Sequence, residues 1–300
     1  MNSKKKTVDL RKAYLFSTVC IILWGSVAVV VKSSLKDTPV IQLVFYLTLF
    51  ASLSLFMILY FQKKLFLFKK YGKYDYLRMV LLGLLGIFIY NILYLKSFSF
   101  ISATEVSILT YSWPIFLVII SGFLFKEKLR LVQGCSILLG FVGVTITLID
   151  KNFTILNSHN AMGAILILIS AFVYALFFAL SKKYSYESFV FMFISYTASF
   201  LLSFILFIFT KGIVFPTTRF LVAIAYMGIL PSAIGFSLFS EALKIGDVSK
   251  IANLIYLTPV ASLIFISIFL KEPMEPIKLL GLTLILGGIV FNRTPKTVHN

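Results

Sequence analysis

Ten apolar runs, each about as long as a bilayer-crossing helix, follow one another along this 300-residue chain, with charged residues collected between them. They lie near 13–31, 40–61, 77–96, 102–124, 130–149, 162–181, 188–209, 219–241, 248–269 and 277–291. Crossing the hydrocarbon takes roughly 20 mostly apolar residues in a helix, the form that satisfies its own backbone hydrogen bonds there. The composition agrees, with 60% hydrophobic and 13% charged residues, where a soluble domain is about 45–50% apolar and about 25% charged. The predicted fold class is an all-α integral membrane protein with ten transmembrane helices. Ten such spans leave roughly 100 residues for tails and links, too few for a separate soluble domain. Function is therefore expected inside the membrane.

A formal charge of +17 would suggest nucleic acid as a partner in a soluble chain. Here the basic residues fall between apolar runs, as in the cytoplasmic loops of membrane proteins, and no nucleic acid is expected. With the N-terminus placed in the cytoplasm, 20 of the 28 Lys and Arg residues fall on the inner side and 8 on the outer. That bias predicts a multi-pass protein of the cell membrane with both termini cytoplasmic. The first run follows Lys4, Lys5, Lys6, Arg11 and Lys12, like a signal peptide, but no small-residue cleavage site follows, so it reads as a retained first helix. Cys20 and Cys135 lie inside apolar runs, and His159 and His299 in a loop and a tail. They support no disulfide framework, no metal site and no cofactor. The sequence sets no oligomeric state.

The chain also repeats itself. Laying 94–145 over 239–290, an offset of 145, pairs Tyr111 with Tyr256, Pro114 with Pro259, Lys126-Glu127 with Lys271-Glu272, and Gly143 with Gly288. A weaker echo at an offset of 150 pairs Trp24 with Tyr174 and Lys32 with Lys182. The predicted units are 13–149 and 162–291, five helices each. An odd number of helices inverts the second unit in the membrane, which is the inverted-repeat architecture of secondary transporters.

The stretch Ser102-Ala-Thr-Glu-Val-Ser-Ile-Leu-Thr-Tyr-Ser-Trp-Pro114, followed by Phe125-Lys-Glu-Lys-Leu-Arg130, resembles the fourth helix and following loop of the EamA family of the drug/metabolite transporter superfamily. Its second copy, Asp247-Val-Ser-Lys-Ile-Ala-Asn-Leu-Ile-Tyr-Leu-Thr-Pro259 with Leu270-Lys-Glu272, is close to that family's L-x-P and G-E pattern. Glu105-Val-Ser and Tyr111-Ser-Trp-Pro114 are nearest the branch that includes aromatic amino acid exporters. The resemblance extends from Trp24-Gly25 to Gly287-Gly288. It implies two EamA repeats and transport of a small organic metabolite. Many members carry an Arg in the second helix, where this chain reads Leu43-Val-Phe-Tyr-Leu-Thr48 with Tyr46 near the expected place. Anionic substrates that would use that Arg are disfavoured.

Polar groups inside a span should face the bundle interior or water, which makes them the substrate-binding candidates. In the fourth run Thr104, Glu105, Ser107, Tyr111 and Ser112 fall within an arc of about 160° at 100° per residue. Glu105 is either a partner for a substrate ammonium or proton, or an interfacial residue paired with Lys96. Tyr90, Asn91 and Tyr94 share one face of the third helix. In the ninth, Ser249, Asn253 and Tyr256 fall within about 60°, and Asn253 serves either substrate or a helix–helix hydrogen bond. Trp24 and Trp113, the two tryptophans, can wall a site for planar or cationic groups. Pro114 and Pro259 interrupt their spans at equivalent points and are the expected hinges. Ala171, Ala175 and Ala179, at four-residue spacing, suit close helix packing.

An intramembrane enzyme would need carboxylate clusters or an acid–base pair at membrane depth, and no span carries one. Gly72-Lys73 lacks the first glycine of a phosphate-binding loop, since Leu67 stands there. A scaffold or receptor does not predict an inverted repeat. The reading is a secondary transporter working by alternating access, exporting amino acids or related amphipathic compounds. The alternative is an uptake or exchange carrier for a nucleoside or S-adenosyl compound.

Overall fold

The computed structural model describes residues 10–34, 38–125, 131–147, 158–184, 186–245, 254–255 and 257–291. The regular elements among these residues are all helical, without strands. In chain order the helices are α1 (Leu10–Gly25), α2 (Val27–Ser34), α3 (Val40–Phe61), α4 (Lys73–Gly83), α5 (Tyr90–Ser97), α6 (Ala103–Thr110) and α7 (Trp113–Phe125). Then come α8 (Leu131–Thr147), α9 (Ser158–Tyr184), α10 (Ser188–Ile208), α11 (Thr218–Met227), α12 (Phe236–Ile245), α13 (Thr258–Phe265) and α14 (Pro276–Phe291). Among the described residues seven stretches are long and apolar enough to cross a membrane, and they cover the first four and the sixth to eighth runs. The fifth, ninth and tenth runs carry the shorter apolar helices Ile137–Thr147, Thr258–Leu270 and Pro276–Gly288.

Two compact units emerge, and neither is a simple half of the sequence. The first draws on Met1–Phe88 and Tyr186–Glu272, the second on Ile89–Ser185 and Pro273–Asn300. Each takes helices from both predicted repeats, so the sequence repeats and the compact units are different partitions of one chain.

In the first unit α3 and α4 pack on α10, and α1 on α12 and α13. Small residues set the distance. A Cβ at Gly83 would collide with the Ser195 backbone, and one at Gly228 would sit 2.8 Å from the Leu47 carbonyl oxygen and 2.7 Å from Phe50 Cβ. Serine hydroxyls then bond across the gap, Ser199 Oγ to the Gly83 carbonyl at 3.2 Å and Ser195 Oγ to the Met79 carbonyl at 3.4 Å. In the second unit α8 lies along α14, and α5, α6 and α7 surround α9. Gly143 and Gly281 bring α8 and α14 together, since a Cβ on either would stand 2.7–2.8 Å from the other's carbonyl oxygen. Ala171, Ala175 and Ala179 are buried, with Ile120, Trp113, Phe116 and Leu117 packed on Ala175 and Ala179. Their predicted packing role is what is found.

The repeat is visible in contacts as well as in letters. Gly83 meets Ser195, while Gly228 meets Phe50; adding 145 to 83 and to 50 gives 228 and 195. Cys20 Sγ donates to the Gly235 carbonyl at 3.1 Å, and Ser170 Oγ donates to the Tyr90 carbonyl at 3.2 Å. Here the offsets are 150 between residues 20 and 170, and 145 between residues 90 and 235. Gly163 lies against Phe100, and Ala13 belongs to a cluster that includes Ile245, at the same two offsets. Wider π-helical turns occupy Leu84–Ile89 and Gly228–Gly235, again at equivalent places. Such turns are local insertions into a helix, common where a helix serves a function.

Candidate functional site

The richest candidate is an aromatic and polar cluster in the second unit. The α5 helix presents Tyr90, Asn91 and Tyr94 at i, i+1 and i+4, so the two phenols stack with centroids 5.6 Å apart. Tyr174 of α9 stacks on Tyr90 at 4.6 Å and 26°. Trp113 meets Tyr174 edge-on at 5.7 Å and stacks on Phe178 at 5.4 Å. Tyr94 also turns its ring to Phe98 at 5.3 Å. The third-run face and Trp113, predicted separately from sequence, are thus joined through Tyr174. Asn91 and Tyr94 are buried, at 8% and 9% exposure, and Tyr90, Tyr111 and Trp113 are half-buried. Tyr174 entered the sequence reading only as the counterpart of Trp24; the structure makes it the hub.

The fourth run is not one continuous helix. α6 stops at Thr110, and Tyr111 and Ser112 form a turn whose amides bond three residues back, to Ile108 at 3.1 Å and Leu109 at 3.0 Å. α7 restarts at Trp113 with Pro114 in its first turn. This corrects the expected unbroken arc, since the turn at Tyr111 and Ser112 interrupts the 100° progression that runs through Thr104, Glu105 and Ser107. It also relocates the prolines. Pro114 and Pro259 each begin a helix, where a missing N–H costs little, and the breaks precede them. Leu257 repeats the geometry of Ser112, its amide bonding the Leu254 carbonyl at 2.9 Å. Ser112 is 2% exposed, and its hydroxyl has no hydrogen-bond partner among the described residues. An unpaired buried hydroxyl costs about 1–3 kcal/mol, so this one is available to a polar ligand group. The fourth-run sequence named Ser112 without its unpaired state.

Glu105 is engaged elsewhere. Its Oε2 accepts the Ser102 N–H at 2.9 Å and the Ser102 hydroxyl at 2.8 Å, while Ser102 Oγ accepts the Glu105 N–H at 3.1 Å. This capping box closes the N-terminus of α6. Oε1 faces Lys278 Nζ at 3.2 Å, and Lys278 also faces Glu275 at 3.7 Å. The cation beside Glu105 is therefore Lys278 of α14, in place of the Lys96 considered from sequence. Lys96 is exposed, with its Nζ 5.7 Å from the Phe100 ring centroid.

Trp24 belongs to the first unit. Its indole N–H donates to the Pro231 carbonyl at 2.9 Å, and its ring meets Phe239 edge-on at 5.5 Å. Pro231 sits inside the π-helical turn Gly228–Gly235, where it cannot donate to the turn before it; Ser232 Oγ bonds the Met227 carbonyl at 2.9 Å instead. The proline in that apolar run was the available signal for this interruption. Asn253 and Tyr256 lie outside the described residues. Among those described, no group of three His, Cys, Asp or Glu side chains could hold a metal ion.

Comparison with known proteins gives these helices a family. The EamA-like transporter family matches at residues 11–149 and again at 161–294. An uncharacterized transporter of Archaeoglobus fulgidus is 23% identical over 93% of this chain and 96% of its own length. The uncharacterized transporter YetK of Bacillus subtilis is 27% identical over 92% and 85%. The uncharacterized inner membrane transporter YhbE of Escherichia coli is 24% identical over 93% and 90%. A solved crystal structure superimposes with a TM-score of 0.69 at 21% identity, covering 94% of this chain and 96% of the other, which shows the fold alone.

Proposed function

This chain belongs to the EamA-like transporter family, an integral membrane family of carriers and not of enzymes, and from that premise we propose that it exports amino acids or related amphipathic metabolites. The mechanism is secondary transport by alternating access, with a small organic substrate and no cofactor. The observation that carries the substrate class is the second unit's aromatic set, Tyr90, Tyr94, Trp113 and Tyr174, beside buried Asn91 and the unpaired hydroxyl of Ser112. Aromatic faces attract planar and cationic groups, and a few polar groups among them fix orientation. The resemblance of Glu105-Val-Ser and Tyr111-Ser-Trp-Pro114 to the branch that includes aromatic amino acid exporters supports the same substrate class. Tyr111 completes the proposed site of the second unit, with Glu105 toward its outer mouth; Trp24, Asn253 and Tyr256 are kept as substrate-binding residues on the sequence argument alone.

The carrier is read as ten spans in two inverted five-helix repeats, 13–149 and 162–291, with both termini cytoplasmic. Support comes from the recurrence of contacts at offsets of 145 and 150 and from the 20 to 8 distribution of basic residues. The hinges are the helix breaks ahead of Pro114 and Pro259, where backbone bonds are already lost to the turn. Counterflow in proteoliposomes tests the proposal: vesicles preloaded with unlabelled amino acids should trap labelled external amino acid, and Tyr90→Ala should cut the initial rate at least about tenfold, the loss of about 1.4 kcal/mol. Trapping of nucleosides with no response to amino acids would reverse the substrate assignment.

A further inference from the structure

The connection between α3 and α4 is a folded surface with a face of its own. α3 ends at Phe61, and Lys63 takes a left-handed conformation (φ 54) that turns the chain into a short 3₁₀ helix, Leu65–Lys70, before α4 begins at Lys73. Side chains tie this segment to the start of α10. Lys64 Nζ lies 3.4 Å from Glu187 and 4.6 Å over the Phe189 ring centroid. The Glu187 N–H donates to the Tyr71 hydroxyl at 3.0 Å, and the Tyr186 hydroxyl donates to Asp75 at 3.1 Å. Burial holds the Tyr186 phenol above its ordinary pKa, so it stays protonated as that donor. Tyr76 closes the segment by donating to the Phe68 carbonyl at 2.7 Å.

These contacts occupy both acidic groups, with Lys64 and Arg78 as their basic partners, and leave four lysines on the outside. Asp75 is taken by Tyr186, Gly72 and Arg78, and Glu187 by Lys64 and the α10 amide of Val190. Lys63, Lys69, Lys70 and Lys73 remain exposed, interleaved with Phe66 and Tyr74, which are 67% and 74% exposed. Because the segment joins two membrane-spanning helices, connectivity holds it at the bilayer surface. Lysines there are attracted by anionic lipid, and rings of Phe and Tyr enter the boundary between headgroups and acyl chains.

The geometry points to a docking surface for anionic phospholipid headgroups on residues 63–74, with Lys63, Lys69, Lys70 and Lys73 on the phosphates and Phe66 and Tyr74 inserted beside them. The corresponding connection after α10 offers a built-in contrast. It exposes Ile213, Val214 and Phe215, the last at 91%, but carries only Lys211 before Arg219. That loop has rings for the interface without the charge to choose a headgroup. The inference depends on membrane residence alone and stands whatever the carrier transports.

Native mass spectrometry of the full chain, released from micelles holding equal phosphatidylglycerol and phosphatidylcholine, tests it. Wild type should retain phosphatidylglycerol about tenfold over phosphatidylcholine, well below the roughly 600-fold to which four lysines would compound at a factor of about five each near an anionic surface. Changing the four lysines to Gln should remove the preference, and changing them to Arg should keep it. Equal retention by wild type, or an unchanged preference in the four-Gln variant, overturns the inference and leaves the face solvated or covered by protein. A fluorophore at Phe66→Cys, in a background of Cys20→Ser and Cys135→Ser with all four lysines kept, gives a check independent of that variant's folding. Brominated phosphatidylglycerol should quench it more than brominated phosphatidylcholine, and equal quenching also overturns the inference.

Discussion

The Trp24 contact in the first unit and the Tyr174 contact in the second are built on the same backbone approach and filled with opposite chemistry. Residue 24 and its counterpart 174 each lie on a helix whose preceding turn donates a side-chain hydrogen bond to a carbonyl of the neighbour, Cys20 to Gly235 and Ser170 to Tyr90. In the first unit the approached residue is glycine, and the Trp24 indole fills the space and bonds Pro231. In the second it is Tyr90, and ring lies on ring. Duplicated backbones thus diverge where side chains meet: one copy became a strut, while the other gathered phenols, an indole and an amide. That asymmetry is why the substrate proposal rests on the second unit.

The largest effect should come from forcing one copy to resemble the other. At Gly235 a Cβ would already lie 3.1 Å from Trp24 Nε1 and 3.3 Å from the Leu230 carbonyl oxygen. Gly235→Tyr should therefore destabilise by about 3 kcal/mol through overpacking, lowering the melting temperature in detergent by several degrees. Tyr90→Gly introduces no clash and should affect transport before expression. Next is Trp24→Phe, which keeps a ring but leaves the Pro231 carbonyl unpaired, at a cost of about 1–3 kcal/mol. Tyr174→Phe retains its stacking and should cost less than that in the same melt.

A smaller effect is expected at Glu105. Glu105→Gln preserves the capping box, since Gln serves at that position, and removes only the charge facing Lys278. A double-mutant cycle with Lys278→Met should give a coupling of about 1 kcal/mol. If Glu105→Gln also transports normally at every pH, its role is to pin α6 to α14, and ion coupling resides elsewhere. The smallest effects belong to Cys20→Ser and Ser170→Cys, which exchange donors between equivalent bonds of 3.1 and 3.2 Å. Each should change stability by less than about 0.5 kcal/mol.

The helices were legible because the apolar runs are long and the charges between them dense, and the offset of 145 was legible because Tyr, Pro, Lys-Glu and Gly recur in one register. Glu105 shows what a face-counting argument passes over. Ser102-x-x-Glu105 already spells a capping box, a local device that precedes any role in a polar stripe. Its partner Lys278 is 173 residues away, and nothing in spacing joins the two. The arc drawn through Tyr111 and Ser112 assumed an unbroken helix, although the proline two residues after Ser112 disfavours one. The hub role of Tyr174 depends on neighbours from two other helices, Tyr90 of α5 and Trp113 of α7, a tertiary fact that periodicity on one helix does not contain.

The most direct test concerns the orientation of the two repeats, since the exchanged contacts and the alternating-access reading both depend on it. Lys69 and Lys211 are exposed residues in corresponding connections, after α3 and after α10, with five predicted spans between them. In a background of Cys20→Ser and Cys135→Ser, which leaves no native thiol, a single cysteine at either position can be labelled in intact cells with a membrane-impermeant maleimide. Inverted repeats predict that Lys211→Cys is labelled from outside and Lys69→Cys only after the cells are opened; labelling of both from the same side would contradict the account.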